Sequence, residues 1–425
     1  MANLTSQTLT GFFKDVYNDQ VKVIPECSKL QKAIKFVEAS KQNGGDYVNN
    51  VILTGEHGVS YLSSDAGLSG LNDRVPLVTG KASVKGSNLL VRSGISYEDA
   101  ERASSDKKAF AAIVPMIVEN MTESISKRLE VDLLYGQSDL GIANASAKSG
   151  TTCVLTFETG EWSGIWAGAE QARVAIVDSG TTYGPFKITA VDFTNKTITL
   201  DEASDTNGTD GSQSGDIDDI ASGTDLAVYF YGSVSMSDST SFRSMIGLDS
   251  IMTTSGSLFG INNSTYAMWA GNTKSVTGRL TFAKLLDALT VPTIKGLQEK
   301  LLCMVPVETW QNLNSDLAAL RRFDSSYKKG DMEMGGSAIK YYGQSGEIEI
   351  IAHPFLKENE AFAVPIDKYR RIGATDVTFE TPGKSGDIFL NLENNFGYEL
   401  RCLANQALFP RLTSTSVKIY GFTNA

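Results

Sequence analysis

The fold turns on "AFAAIVPMIVENMTESISKRLEVDLLYGQ", Ala109 to Gln137. Phe110, Val114, Ile117, Met121, Ile125 and Leu129 recur every three or four residues, the spacing of one face of an α-helix. Glu119, Glu123, Lys127 and Glu130 read onto the other faces, with Glu123 and Lys127 an i,i+4 pair of favourable sign. Gly136 predicts the stop, as a C′ glycine. Pro115 either kinks the helix or opens its main segment at the first helical position. At 1.5 Å per residue, Lys108 to Tyr135 makes a rod of ~42 Å. A plain core helix accounts for the apolar stripe taken alone. The puzzle is its setting, in a chain otherwise rich in strands and glycine.

On the N-terminal side, residues 8–39 read as two short amphipathic helices split at Pro25. Residues 46–92, from "DYVNNVILTGEHGVSYL" to "RVPLVTGKASVKGSNLLVR", alternate in polarity and read as extended strands. Their glycine and serine content predicts an exposed excursion rather than a core. Ser96, followed three residues later by Asp99, reads as a helix start.

On the C-terminal side the pattern turns to strands. "CVLTFE", "ARVAIVD", "FKITAVDF", "KTITLDE" and "LAVYFYGS" alternate cleanly between about 150 and 233. They predict a small β-barrel or sandwich inserted as a unit, with a tight turn at Thr194-Asn195-Lys196. From 234 the text is mixed: helix in "TFAKLLDALTVPTIKGLQEK", a buried strand in "LLCMVPV", helix again in "ETWQNLNSDLAALRRF". Long strands close the chain, among them "FGYELRCLANQAL" and "TSVKIYGFT".

Composition excludes several functions. The 425 residues carry 38 Lys and Arg against 49 Asp and Glu, a net charge of −11. That balance argues against a general nucleic-acid binder and against attachment to anionic membranes. No apolar run approaches the ~20 residues of a membrane span, and the first residues lack the pattern of a signal peptide. Cys27, Cys153, Cys303 and Cys402 are scattered and predict ordinary thiols in a reducing compartment rather than a disulfide framework. A soluble protein made in a cytoplasm is expected.

Catalytic equipment is sparse. The chain has two histidines, His57 and His353, and no G-x-S-x-G elbow for a Ser-His-Asp triad. His353 precedes Pro354 at a strand end and reads as structural; His57 reads as a turn or contact residue. No His/Cys spacing supports zinc. Asp205, Asn207, Asp210, Asp216, Asp218 and Asp219 miss the calcium-loop register, because Thr209 holds its fifth place. Gly383-Lys384-Ser385 matches only the end of a phosphate loop and reads as a turn. No catalytic residue, cofactor or metal is expected, so the chain reads as no enzyme.

Three further stretches, in order, carry a resemblance. "VENMTESISKRLEVDLLYGQS" resembles the spine helix and its exit in coat proteins of tailed bacteriophages. "GLDSIMTTSGSLFGINNSTYAMWAG" resembles the entry to their axial (A) domain. "EIEIIAHPFLKENEAFAVPIDKYRRIGATDVTF" resembles the strand pair returning from it to the peripheral (P) domain. The chain thus resembles the tailed-phage major capsid proteins, the Hong Kong 97-type fold shared with encapsulins, over nearly its whole length.

The resemblance implies an α+β capsid fold in six segments. These are an N-arm at 1–45, an E-loop at 46–95 and P-domain residues 96–149 with the spine helix. A β-rich insertion at 150–233, an A domain at 234–375 and P-domain strands at 376–425 follow. It implies a virion shell protein assembled in the host cytoplasm from pentamers and hexamers of itself. Double-stranded DNA would be enclosed without sequence-specific binding and without a membrane. Portal and scaffolding proteins are the implied partners, with room for decoration proteins. The candidate intersubunit contacts on the E-loop are Arg74, Lys81, Lys85 and Arg92. Two other readings stay open: an encapsulin-like compartment, and a β-rich tail or adhesin module that holds sugar with Trp162, Trp166 and Tyr183. A carboxylate-based hydrolase comes last.

Overall fold

The computed structural model describes residues 28–38, 46–53, 57–62, 71–96, 113–149, 151–202, 217–220, 223–315, 339–343, 346–379, 389–391 and 397–424. A short helix, Lys29–Ala33, leads into β1 (Phe36–Glu38), β2 (Asp46–Ile52), β3 (Thr79–Lys85) and β4 (Ser87–Ser96). The long helix follows, described over Ile113–Tyr135. Then come β5 (Ile142–Ser149), β6 (Thr152–Phe157), β7 (Arg173–Asp178), β8 (Thr181–Asp192), β9 (Thr197–Glu202) and β10 (Leu226–Phe230). Short strands β11 (Ser257–Leu258), β12 (Ile261–Asn262) and β13 (Asn272–Ser275) precede β14 (Leu301–Val305), β15 (Ile339–Gly343), β16 (Gly346–Ala352) and β17 (Glu360–Val364). The last are β18 (Tyr369–Thr378), β19 (Phe389–Asn391), β20 (Gly397–Pro410) and β21 (Val417–Tyr420).

Three sheets hold most of these strands, and β2–β3 and β11–β12 are separate two-stranded pairs. In the first, β20 is central: β4 runs along one side, and β18 then β19 along the other, with β1 outside β18. The second is a closed barrel in the order β10-β5-β6-β9-β8-β7. Buried and half-buried positions alternate along β6 and β10, as the period of two requires. The third has the order β13-β21-β17-β14-β16-β15. Its strand β17, "EAFAV", is buried at every position because neighbours flank it and both faces are covered.

Several boundaries differ from the sequence expectation. The barrel takes in β5 and so begins at Ile142 rather than 150. Residues 376–425 do not stay together: β21 leaves the sheet of β20 and pairs with β13 and β17. Conversely β18, expected mostly in the 234–375 segment, pairs with β20. The second expected N-terminal helix ends at Ala33, and Phe36–Glu38 instead forms a strand parallel to β18. The first expected helix lies outside the described residues.

The long helix packs between these sheets. Met121, Ile125 and Leu129 are buried and Ile117 is half-buried against the same core, whereas Phe110 and the Val114 side chain lie outside the described residues. From Leu129 on the burial spreads around the helix to Val131, Leu133, Leu134 and Tyr135. Gly136 is not the left-handed stop; Gln137 is, at φ 65°. The Gly136 N–H still closes a helical bond to the Asp132 carbonyl (2.9 Å), and its own carbonyl accepts from Gly247 N–H at 2.8 Å. A Cβ on Gly136 would run into the Met245 carbonyl oxygen, so glycine is needed there for close backbone approach.

Glu130 also departs from expectation. It is fully buried rather than on a solvated face. Its carboxylate accepts from Leu30 N–H (2.6 Å) and Gln31 N–H (3.0 Å), the open donors at the start of the short helix. Ser28, at the N-cap, makes no side-chain cap, so a carboxylate one hundred residues away does that work. His353, also buried, lies 3.0 Å from the same carboxylate through Nε2. Its Nδ1 accepts from Phe355 N–H (3.3 Å), which leaves the hydrogen on Nε2, donating to Glu130.

The chain after His353 fastens the barrel to the helix end. Pro354 carbonyl accepts from Gly164 N–H, and Glu358 N–H donates to the Trp162 carbonyl. Lys357 N–H donates to the Tyr135 hydroxyl (2.9 Å), while its ammonium reaches Asp139 (2.6 Å) and Glu161 (2.8 Å). Burial alone would lower the Lys357 pKa, but Asp139, Glu360 and Glu161 hold it well above an ordinary lysine. Lys418, on β21, pairs with Glu360 (2.8 Å) and Asp249, tying in the third sheet.

Glu130→Gln keeps one acceptor oxygen but replaces the other by an amide NH2, which sets a donor against a donor at this buried site. A loss of about 3 kcal/mol of unfolding free energy is expected, whereas Glu119→Gln on the exposed side should change stability by under about 0.5 kcal/mol. Chemical denaturation of the purified protein checks both.

Candidate assembly surface

Strands β2 and β3 form an antiparallel ribbon from Asp46↔Lys85 to Ile52↔Thr79. Alternation seats the root. Ala82 and Val84 point into the core, while Lys81, Ser83 and Lys85 are exposed on the opposite side. Tyr47 meets Phe409 edge-on at 5.4 Å, and Ser83 N–H donates to the Phe259 carbonyl at 3.3 Å. Gly80 lies so close to Leu53 and Ile261 that a side chain would have to displace them.

Beyond Ile52 the two chain directions stay close. Leu53 N–H donates to Val78 carbonyl (2.8 Å), and His57 Nδ1 lies 3.3 Å from Val75 carbonyl. Asn72 bonds Ser60 and the Val59 carbonyl at 2.7 and 2.6 Å. From Asp46 to Ile52 the ribbon spans about 20 Å, at 3.3 Å per residue.

The arm's surface is apolar. Tyr61 is 93% exposed, Leu71 79%, and Ile52 and Leu62 each 65%. Val48, Val59, Val75, Leu77 and Val78 are exposed too, so nine of the nineteen exposed large apolar side chains among the described residues fall between positions 48 and 78. Scattered single exposed apolar residues are ordinary; a concentration on one thin arm is the feature that sets this surface apart among the described residues.

The four basic candidates divide. Arg74, Lys81 and Lys85 are exposed on the arm. Arg92 is exposed but lies elsewhere, on β4 in register with Arg401 of β20, because β4 has already joined the first sheet. Sequence reasoning attended to these charges and missed the apolar residues beside them. The signal available was apolar residues recurring in a glycine-rich stretch that no neighbouring strand could bury.

Other candidates carry no chemistry. Trp162 and Trp166 are buried in the barrel, against Phe157 at 5.2 and 5.3 Å, so they cannot present a sugar platform. Cys303 and Cys402 are buried with pKa pushed up to about 12 and about 11 by burial, which keeps them protonated thiols. Cys27, Asp205, Asn207, Asp210, Asp216 and the 383–385 turn lie outside the described residues, as do the side chains of Asp218 and Asp219. Among the described residues no group of three or more His, Cys, Asp or Glu could hold a metal ion. No helix described is long and apolar enough to cross a membrane.

No family model matches the sequence, and no curated protein matches it. Solved structures do resemble it. The capsid asymmetric unit of cyanophage A-1(L) matches with a TM-score of 0.54 at 12% identity, over 99% of this chain and 100% of that one. The capsid of a native GTA particle gives 0.49 at 9% identity, over 97% of both chains. The SrpI encapsulin of Synechococcus elongatus PCC 7942 gives 0.42 at 7% identity, over 100% and 98%. The end-to-end likeness to the cyanophage chain establishes the fold: this is an α+β chain with the fold of a phage capsid protein.

Proposed function

We propose that this chain is a major capsid protein that assembles with copies of itself into the icosahedral shell around a phage genome. The observation that carries the reading is the arm at 46–85, whose outward apolar side chains no other part of the described chain covers. On a capsid-type fold, the occupant that fits is a second copy of the same chain, held by a heterologous contact repeated around symmetry axes. The arm then serves as the E-loop, with Arg74, Lys81 and Lys85 placed to meet an acidic neighbour.

In this reading the long helix and the sheet of β20 make the P domain. The six-stranded sheet, including β21, makes the A domain around five- and six-fold axes. The barrel at 142–230 is the insertion, and residues before the arm are the N-arm. A net charge of −11 suits a wall that encloses DNA without gripping it. Portal and scaffolding proteins are the partners such a shell requires. The protein acts as a structural element of the virion and not as an enzyme.

Size-exclusion chromatography with light scattering, followed by negative-stain electron microscopy, tests the reading. Closed shells, or rings of five and six, are expected. A monodisperse monomer or trimer, unchanged at high concentration or with a co-expressed scaffold, contradicts it. The double substitution Tyr61→Ser, Leu71→Ser should leave subunit stability within about 0.5 kcal/mol of the original, since both side chains are exposed. It should abolish assembly.

A further inference from the structure

A cavity of about 300 Å³ opens where the long helix meets the barrel. The helix contributes Ser124, Lys127, Arg128 and Val131; the barrel contributes Phe230 and the turn at Gly168–Ala172. Neither the arm nor the buried Lys357 cluster takes part in it.

Arg128 is the unusual member. Its guanidinium carbon sits 3.2 Å from the centroid of the Phe230 ring, stacked on the aromatic face. Stacking uses the face of the guanidinium and leaves its edge, with five N–H donors, unspent. Among the described residues Arg128 makes no hydrogen bond or salt bridge, and only the through-space charge of Asp132, one turn on, offsets it. Lys127 beside it donates one proton to the Ala167 carbonyl at 2.5 Å, which leaves two. Both cations are half-buried and border the cavity, and Lys127 also lies 5.9 Å from the centroid of the Phe355 ring.

We propose that Arg128 and Lys127 bind a small oxyanion of the phosphate or carboxylate class in this cavity, with Phe230 holding the guanidinium edge towards it. The fork of Arg128 matches two oxygens of such a group, and Lys127 supplies a point charge. The cavity is open to solvent on one side and has room for phosphate or a short dicarboxylate. Burial and the neighbouring Arg128 lower the Lys127 pKa to about 8, with Glu170 opposing, and a bound anion would restore the charged form. Glu170 is exposed on the rim, and its carboxylate works against the ligand. The proposal is independent of the assembly reading, because it concerns a joint within one chain.

Isothermal titration of the purified full chain with inorganic phosphate and with succinate, at constant ionic strength and with sodium chloride as control, provides the test. Saturable binding at one site per chain is expected. Arg128→Gln and Lys127→Gln should each weaken it at least about tenfold, the effect of losing charge-assisted hydrogen bonds. Glu170→Gln should tighten it. A preference for phosphate identifies a free anion as the ligand; a preference for succinate identifies an acidic side chain. No saturable heat with either probe, or equal affinity in the Lys127→Gln and Glu170→Gln proteins, overturns the proposal. Should Arg128→Gln fail to fold, as circular dichroism would show, those two variants decide it.

Discussion

One buried carboxylate governs how the parts of this molecule meet. Glu130 faces the interior near the C-terminal end of the long helix and is reached by donors from two distant segments, the start of the Lys29–Ala33 helix and His353. A buried charge is tolerated only when its oxygens are satisfied, so each donor is obligatory for the others. The consequence is geometric. The helix, the N-terminal strand beside β18, and the end of β16 can adopt only one mutual arrangement. One turn further on, Tyr135 and Lys357 extend the same logic to the barrel and to β21.

That fixed centre bears on the role proposed for the molecule. A plate that tiles a shell must keep its sheets in register while forces act on its edges, and a helix wedged between three sheets resists their sliding. The arm follows the opposite principle. Its root is packed by Ala82, Val84 and Tyr47, yet outward from Ile52 it exposes apolar groups that no other described residue covers, and in the proposed assembly a second copy buries them. A rigid body with one incomplete arm has the two properties self-assembly needs. Its described residues leave that surface uncovered, and the packed root presents it in a defined direction.

Local patterns made part of this legible in the sequence. Met121, Ile125 and Leu129 lie inward because helical periodicity is a property of neighbours three and four apart. The strands of the barrel announced themselves by alternation for the same reason. What stayed hidden depends on distant partners. Glu130 is polar and reads as solvated until the short helix that it caps is placed over it. Gly136 reads as a stop, whereas its need arises from the backbone around Met245 and Gly247. β21 follows β20 closely in sequence but joins another sheet, which no local propensity encodes. On the arm, charge drew attention although exposure of leucine, tyrosine and valine is what distinguishes it.

The most direct measurement is a cryo-electron microscopy map of the assembled particle, read at residues 48–78. Tyr61, Leu62 and Leu71 are expected to lie buried against a neighbouring subunit, with the arm crossing the subunit boundary. An arm folded back over its own chain, or standing free in solvent within an intact shell, would contradict it.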